Sequence, residues 1–315
     1  MKNTADEVIA QLLGDKKLNL QKGNSDAFNY TRIPFGIPAL DKLTGGGIPK
    51  KRMTIMYGPT NVGKSYLASQ VVANVQREGG TAAWIDTELS WDSVWVEKCG
   101  IDSERMLVSQ PTSGEEALGT VKELMRAGID IIVLDSIAGL VPSDVQENEK
   151  GFEFSPMAWQ ARFVNSALPR LLPNLKSGSA FIAINQVRSS IGPVALDTMP
   201  GGLAQGFFAH FLLQVRRSGW IEEPKGNKVG FDMEVRLRKS KVGGENWSNA
   251  IVPFRVDGGI DVLESYIREA IQQKLIIQKG AWYDYEGTKA MGMNGLKTQL
   301  LSNPTLVEKL KADVT

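Results

Sequence analysis

Residue types that build metal sites and disulfide frameworks are almost missing from this chain. Its 315 residues include one cysteine, Cys99, and one histidine, His210. A single cysteine cannot form a disulfide within the chain, and no second histidine exists to share a metal ion. We therefore expect Cys99 to be a buried, reduced thiol, which suits the cytoplasm, and His210 to pack among its phenylalanine neighbours.

An excess of charge of either sign is also missing. The chain has 36 Lys and Arg against 35 Asp and Glu, a net charge of +1. Any affinity for nucleic acid must therefore come from local patches or from many subunits acting together. No apolar run approaches membrane-spanning length, and the first residues lack the cationic start and apolar core of a signal peptide. We expect a soluble, cytoplasmic protein that binds no membrane.

The most informative stretch is a glycine-rich loop between a predicted strand and a predicted helix. The apolar run 53–57 favours a strand, and apolar spacing over 67–75 favours a helix. The loop between them fits the pattern G-x-x-x-x-G-K-[ST], whose backbone N–H groups surround phosphates. Lys64 would reach the β- and γ-phosphates of ATP, and the Ser65 hydroxyl would ligate Mg²⁺. The predicted nucleotide-binding residues here are Gly58, Pro59, Thr60, Asn61, Val62, Gly63, Lys64, Ser65 and Tyr66.

Apolar runs that alternate with amphipathic helices predict an α/β fold with a mostly parallel sheet covered on both faces. Further strands are predicted at 81–86, 106–109, 129–135 and 180–186. In such sheets the chemistry collects at the carboxyl ends of the strands. The marked residues that fall there are Gly58, Glu88, Asp135 and Gln186.

Three of these residues suggest phosphate chemistry. Asp135 is the expected magnesium carboxylate, although an aspartate at a strand end can also be a helix or turn cap. Glu88 could polarise the water that attacks the γ-phosphate, or could be a solvated surface glutamate. The Gln186 amide could hydrogen-bond the γ-phosphate and register its loss, because a long loop begins two residues later.

The chain divides into three predicted parts. Residues 1–32 hold one short amphipathic helix and a polar linker, with an apolar stripe that we expect to dock on a neighbouring subunit rather than on its own core. Residues 33–260 form the core, and residues 261–315 a small α/β second domain. Two long loops, 143–155 and 188–202, have no regular apolar spacing, and such loops in a compact core are more often functional than not.

A cluster of cations follows the predicted strand at 233–238. Strand alternation places Lys239 and Lys241 on one face. On pattern alone, a solvated edge strand that discourages aggregation is an equal alternative to a functional site.

Taken in order, these motifs resemble the bacterial RecA recombinase family. The resemblance covers about Ile33 to Leu310. One phosphate loop is generic, but the ordered set is specific. The stretches that carry it are Gly58–Ser65, Trp84–Glu88, Ser109–Glu115, Ile131–Ser136, Asn185–Arg188, Lys239–Lys241 and Gly280–Gly287.

The resemblance implies a RecA-type P-loop ATPase core that forms helical filaments on single-stranded DNA and pairs it with homologous duplex DNA. It implies roles in DNA recombination and repair, including the SOS response, with DNA-stimulated ATP hydrolysis. Residues 1–32 would be the polymerisation arm, and residues 261–315 a lobe that receives duplex DNA. The ATP would lie at a subunit interface of the homo-oligomer.

The resemblance also assigns residues. The catalytic set would be Lys64, Glu88, Gln186, Lys239 and Lys241, the two last reaching the neighbouring subunit's phosphates. Asp92 and Trp95 would hold the adenine, although Trp95 could instead pack its helix on the core, a less favoured alternative. The loops 143–155 and 188–202 would bind DNA. The predicted DNA contacts are Arg162, Arg170, Arg188, Ser189, Gly201 and Gly202.

Several positions depart from the family pattern. Thr60 replaces its usual acidic residue, Ser65 its usual threonine, and Gly206 a common interface lysine. The first loop is acidic, and the acidic tail of many bacterial members is missing, so tail-based autoinhibition should be weak or absent. These differences suit a divergent or phage-encoded member. The acidic residues of the loop are Glu147, Glu149 and Glu153.

Two other functions remain open at this stage. One is a ring-forming helicase motor of the same superfamily, although such relatives typically use an arginine finger instead of paired lysines. The other is a DNA-binding scaffold in which ATP only holds the interface together, and the presence of Glu88 argues against it.

Overall fold

The computed structural model describes residues 4–144, 156–189, 197–198, 205–222 and 226–314. Contacts between residues divide the chain into two compact units, Met1–Thr31 and Arg32–Thr315.

The first unit contains the predicted amphipathic helix, α1 (Ala5–Gly14). The Thr4 hydroxyl accepts from Glu7 N at 3.3 Å, and the Glu7 carboxylate accepts from Thr4 N at 2.8 Å. This reciprocal capping box satisfies two N–H groups of the first turn and fixes where the helix begins. The predicted amphipathic helix is confirmed, and its side chains Val8, Ile9 and Leu12 are exposed.

The second unit is built on a large mixed sheet. Its helices are α2 (Pro38–Thr44), α3 (Lys64–Arg77), α4 (Ser93–Lys98), α5 (Gly114–Ala127), α6 (Pro156–Leu171), α7 (Gln205–Phe208), α8 (Val262–Gln272), α9 (Gly292–Leu301) and α10 (Pro304–Val314). Its strands are β1 (Arg32–Ile33), β2 (Ile48–Pro49), β3 (Met53–Gly58), β4 (Ala82–Asp86), β5 (Met106–Ser109), β6 (Ile131–Asp135), β7 (Ala180–Gln186), β8 (Arg188–Ser189), β9 (Asp197–Thr198), β10 (Phe211–Glu222), β11 (Lys228–Ser240), β12 (Asn249–Arg255), β13 (Gly259–Ile260), β14 (Ile277–Lys279), β15 (Trp282–Tyr285) and β16 (Thr288–Met291).

The nine-stranded sheet has the order β13-β12-β11-β10-β3-β7-β6-β4-β5. The strands from β10 to β5 are parallel, and β10 to β13 pair antiparallel. Gly58 pairs with Gln186, and Asp86 with Asp135. The carboxyl ends of β3, β7, β6 and β4 therefore meet along one edge, which we call the nucleotide edge.

Each face of this sheet carries its own apolar core. One core packs α3 against side chains such as Met56 and Val133, and the other packs α5 and α6 against Ile55 and Leu134. Neighbouring residues of one strand thus face different cores, which is why these strands read as continuous apolar runs. The expected parallel sheet covered on both faces is confirmed.

Two strands and one helix differ from what local patterns suggest. Strand β10 is twelve residues long and contains the pair Arg216–Arg217. Strand β12 is not among the predicted strands, and it contains Pro253, although proline usually argues against a strand with neighbours on both sides. Helix α6 accommodates Pro169 and ends at Leu171.

The last fifty residues form a small three-stranded sheet packed by α8, α9 and α10 around their own apolar core. Asp261 caps α8 by accepting from Glu264 N at 3.0 Å. Glu264 is 2% exposed and pairs with Arg255 of β12, Arg268 of α8 and Lys297 of α9. This ion-pair cluster, which we call the junction network, joins the C-terminal segment to the main sheet. Treatment of 261–315 as a separate domain stays a prediction.

Candidate functional site

The glycine-rich loop connects the end of β3 to the start of α3. A Cβ added to Gly58 would lie 2.0 Å from the Val215 carbonyl oxygen, so the close approach of β10 requires glycine there. Gly63 has a φ of +90°, and its Cβ would lie 2.6 Å from Met233 Cε. Helix α3 begins at Lys64 without a side-chain cap, so its first turn presents backbone N–H groups to the loop.

Lys64 is 7% exposed and lies within this loop. Its Nζ donates to the carbonyl oxygens of Gly58 at 3.1 Å and Pro59 at 2.5 Å. Burial lowers the pKa of Lys64, and the carboxylates of Asp135 and Glu88 partly oppose that shift. A cation is therefore held among groups that favour its charged form.

Asp135 and Ser65 meet at the carboxyl end of β6. Ser65 Oγ donates to Asp135 Oδ2 at 2.7 Å. Burial raises the pKa of Asp135 to about 6, and the Ser65 hydrogen bond opposes that rise. A buried carboxylate beside a hydroxyl is an oxygen donor set of the kind Mg²⁺ prefers, and Mg²⁺ usually takes only one or two protein ligands alongside phosphates. The residues present fit that ion.

Glu88 lies two residues beyond β4 and is held from both sides. Ser136 Oγ and Gln186 Nε2 both donate to Glu88 Oε1, each at 2.6 Å. Gln186 closes β7, and Ser136 follows β6. Residues at the ends of β6 and β7 thus fix the orientation of the Glu88 side chain at the nucleotide edge.

Asp86 is a site residue that the sequence reasoning missed. It is fully buried and accepts hydrogen bonds from Glu88 N at 3.1 Å, Trp91 N at 2.9 Å and Gln110 Nε2 at 2.9 Å. Its carboxylate therefore organises the turn that carries Glu88. The available signal was an ionisable residue closing an otherwise apolar strand.

Aromatic side chains form the wall of a cleft of about 500 Å³ beside the loop. Tyr66 packs edge-on against Trp95, with ring centroids 4.8 Å apart, and against Phe254 at 4.7 Å. Trp95 Nε1 donates to the Tyr66 hydroxyl at 2.9 Å. Phe254 comes from the unpredicted strand β12 and was missed for that reason.

Asp92 has a structural role in this site, and its expected contact with the adenine stays a prediction. Its Oδ1 accepts from Val94 N at 2.9 Å and Trp95 N at 3.2 Å, so it caps α4. It thereby positions the helix that carries Trp95. The cleft is lined by Trp95 and not by Asp92.

Lys239 lies level with the middle of β3 and Lys241 lies near its amino end, away from the nucleotide edge, in a position that we call the lysine edge. Lys239 pairs with Leu212 of β10, which pairs with Ile55 of β3. At about 3.3 Å per residue and about 4.8 Å between strands, the Lys239 Cα lies about 14 Å from that of Gly58. The Nζ atoms of both lysines donate to the Phe207 carbonyl oxygen, at 3.2 Å and 2.8 Å. These lysines cannot reach the phosphate loop of their own chain.

A family model for the RecA N-terminal domain matches residues 3–258. The chain belongs to the RecA family. The proteins named "Protein RecA" from Cytophaga hutchinsonii and Aquifex aeolicus are 37% and 38% identical, over 295 and 289 residues. Each alignment covers 90% of this chain, and 80% and 82% of the respective relative. The relative from Acinetobacter baylyi is 35% identical over 304 residues, covering 94% of this chain and 86% of its own. The resemblance drawn from the motifs is confirmed, and with it a role in DNA recombination and repair with binding of ATP and DNA.

The predicted DNA contacts of this RecA-family chain are only partly described. Arg162 and Arg170 are exposed on α6, eight residues apart, with Ser166 exposed between them. Arg188 and Ser189 form the short strand β8, which pairs with β9. Other predicted contacts lie outside the described residues: Gly201, Gly202, and the loops apart from residues 143–144, 188–189 and 197–198.

Two residues that depart from the family pattern lie in the described part of the structure. Gly206 lies in α7, and its carbonyl oxygen accepts from Lys239 Nζ. Thr60 is exposed at the tip of the phosphate loop. The three glutamates of the first loop lie outside the described residues.

The lone histidine and cysteine are structural, as far as the described residues show. His210 Nδ1 accepts from Met53 N at 3.2 Å, which requires an unprotonated ring nitrogen, and its expected packing among phenylalanines stays a prediction. Cys99 is partly rather than fully buried, and burial raises its pKa to about 11. No three His, Cys, Asp or Glu side chains among the described residues converge on a metal position. None of the described helices is long and apolar enough to span a bilayer.

Proposed function

We propose that this protein is an ATP-dependent recombinase that forms filaments on single-stranded DNA and pairs that strand with homologous duplex DNA. The observation that carries the proposal is the hydrogen bond between Gln186 and Glu88. It connects the residue best placed to activate water with the start of the segment 188–202. The identity of the bound nucleotide can therefore be coupled directly to the affinity of this segment for DNA.

ATP would bind along the nucleotide edge. The N–H groups at the start of α3 would hold the phosphates, and the Lys64 ammonium would contact the β- and γ-phosphates. Tyr66, Trp95 and Phe254 would form the wall beside the base. Ser65, and Asp135 beside it, would hold Mg²⁺, which neutralises charge that develops on the phosphates.

Glu88 would orient and polarise the attacking water. The hydrogen bonds from Ser136 and Gln186 fix one carboxylate oxygen, which leaves the other to accept from water. Loss of the γ-phosphate would remove the partner that competes for the Gln186 amide. Gln186 would then move with the nucleotide state.

The position of Lys239 and Lys241 supports an interface site. Their own phosphate loop lies at the nucleotide edge, away from the lysine edge, so a phosphate they contact must belong to another subunit. Stacking one subunit's lysine edge on the next subunit's nucleotide edge is a head-to-tail contact, which propagates into an open filament unless the rotation closes.

The exposed Arg162 and Arg170, together with the segments 143–155 and 188–202, would bind DNA. Because the net charge is only +1, the affinity would come from many subunits contributing a few phosphate contacts each.

The decisive experiment is ATP turnover with and without single-stranded DNA, alongside electron microscopy of the same samples. Stimulated turnover with helical filaments, and strand exchange in a joint-molecule assay, is the expected result. Closed rings that unwind duplexes would replace the proposal with a helicase, and DNA-bound filaments without turnover would replace it with a scaffold.

Two substitutions separate binding from hydrolysis. Lys64→Ala should abolish ATP binding, because the phosphates lose their cation. Glu88→Ala should retain binding and lose turnover by about 10² or more, the usual worth of a general base. Glu123→Ala, which alters an exposed glutamate on α5, is the matched control and should change neither. Equal loss of ATP binding in the Lys64 and Glu88 variants would contradict the roles assigned.

A further inference from the structure

Arg32, the first residue of β1, connects two turns that are distant in the sequence. Its Nη1 donates to the carbonyl oxygens of Thr44 at 2.7 Å and Gly47 at 3.2 Å. Its Nη2 donates to the carbonyl oxygen of Val242, which lies two residues beyond the end of β11. The guanidinium also lies over the Phe211 ring, 5.2 Å from its centroid. One side chain therefore ties the turn after α2 to the segment that follows β11.

Glycines on both turns line the space that this side chain fills. A Cβ added to Gly46 would lie 3.4 Å from Arg32 Cδ, and one added to Gly243 would lie 3.5 Å from Arg32 Nη2. The turns also meet through their backbones, since Glu245 N donates to the Leu43 carbonyl oxygen at 2.9 Å. The segment after β11 is thus held at its far end by the backbone of α2 and at its near end by Arg32.

The near end of that segment adjoins Lys241. Lys241 N donates to the His210 carbonyl oxygen at 2.9 Å, and Val242, which accepts from Arg32, is the next residue. Lys239 lies within β11 and pairs with β10, so the sheet itself fixes its backbone. Because Lys241 lies beyond the last residue of the strand, Arg32 supplies a fixed point where the sheet no longer provides one.

We propose that Arg32 is a positioning residue for Lys241, holding the adjacent backbone so that the Lys241 ammonium meets the next subunit's phosphates. The proposal rests on the proposed function, in which Lys241 acts across the interface. Arg32 is not among the described residues that line the nucleotide cleft, so it acts through Lys241. A planar guanidinium with several N–H donors bonds carbonyl oxygens on two turns at once, which a single ammonium does less well.

The first test is the DNA-stimulated turnover of an Arg32→Met variant, which keeps an unbranched side chain and loses every donor. Its kcat should fall at least about tenfold, because a group misplaced by about 1 Å can cost about 10²-fold in rate. ATP binding to subunits kept too dilute to assemble should stay within about twofold, since no contact to the nucleotide is removed.

The matched control is Arg105→Met, which should leave turnover unchanged. The Arg105 guanidinium also donates to two main-chain carbonyl oxygens, those of Gln76 at 3.2 Å and Gly80 at 3.4 Å. It lies directly before β5, at the other end of the strand order from β11.

Subunit mixing then shows which half of the interface the Arg32→Met variant damages. Its own phosphate loop is intact, so an equimolar mixture with Lys64→Ala should recover about one quarter of the wild-type turnover, the share of head-to-tail interfaces with two intact halves. A mixture with Lys241→Ala should recover nothing, because every lysine edge in those filaments is impaired. A general loss of stability would not distinguish between these two partners.

Two results would overturn the proposal. One is wild-type kcat in a folded Arg32→Met variant. The other is a mixture with Lys64→Ala that recovers no turnover, or a mixture with Lys241→Ala that does. If the methionine variant does not fold, Arg32→Gln takes its place and the same two results apply. Failure of Lys64→Ala and Lys241→Ala to restore each other would instead overturn the shared nucleotide site of the proposed function.

Discussion

Replacing Glu264 by glutamine should destabilise the protein more than its conservative size change suggests. The Glu264 carboxylate is 2% exposed and accepts from the guanidinium groups of Arg255 and Arg268, the latter at 2.6 Å, with Lys297 Nζ at 3.4 Å. Removing one partner of a buried ion pair can cost about 3–5 kcal/mol. We expect the lower end of that range here, because Arg255 and Lys297 keep Asp261 as a partner and Arg268 keeps Asp232. One kcal/mol corresponds to about 2–4 °C in melting temperature for a domain of roughly 200 residues, so we expect a loss of about 6 °C or more.

The assay is thermal unfolding followed by circular dichroism, with Glu123→Gln as the matched control. Glu123 also pairs with an arginine, at 2.9 Å, but its side chain is 67% exposed. Such an exposed pair contributes less than about 1 kcal/mol. A Glu264→Gln variant that melts within about 2 °C of wild type, like the control, would refute the reasoning that the junction network is an energetically important buried contact.

Two further predictions concern the histidine and the cleft. Burial, with repulsion from Arg52 and nearby lysines, lowers the pKa of His210 to about 4. The unfolded chain should therefore bind more protons than the native chain between about pH 4 and 6.5, so stability should rise with pH across that window. The single imidazole signal in an NMR titration gives the pKa directly, and a value near 6.5 would contradict this. Trp95→Ala should weaken ATP binding about tenfold, in line with about 1–3 kcal/mol for stacking on a base, whereas Trp247→Ala, which removes an exposed tryptophan, should not. Equal effects in a titration calorimeter would argue against an adenine site at Trp95.

Much of the fold could be predicted because the parallel strands are buried on both faces. Runs such as 131–135 have no polar residue until the terminal carboxylate, so both the strand and its functional end are visible in the sequence. The phosphate loop is equally local, since its glycines and Lys64 lie within eight residues. Helix α5 begins directly after Ser113, whose Oγ accepts from Glu116 N, and Ser113-Gly-Glu-Glu is a capping pattern that can be read from the sequence.

The remaining features depend on contacts between distant residues. The sequence around Asp86 does not reveal that its carboxylate accepts a hydrogen bond from Gln110. The sequence around Phe254 does not reveal that its ring lines a cleft together with side chains of α3 and α4. Strand β12 contains Pro253, which by local pattern argues against a strand, so its pairing with β11 is visible only in the fold. The separation of the lysine edge from the nucleotide edge required the register of three strands.

The central claim is that each nucleotide is enclosed by two subunits, and mixing two inactive variants tests it most directly. Lys64→Ala removes the phosphate-binding cation, and Lys241→Ala removes the lysine proposed to act on a neighbour. In a random equimolar mixture, half of the phosphate loops and half of the lysine edges are intact, so about one quarter of head-to-tail interfaces combine two intact halves. DNA-stimulated turnover should therefore recover to about one quarter of the wild-type rate. Turnover no higher than that of the two variants assayed separately, in filaments shown to contain both, would contradict a nucleotide site shared between subunits.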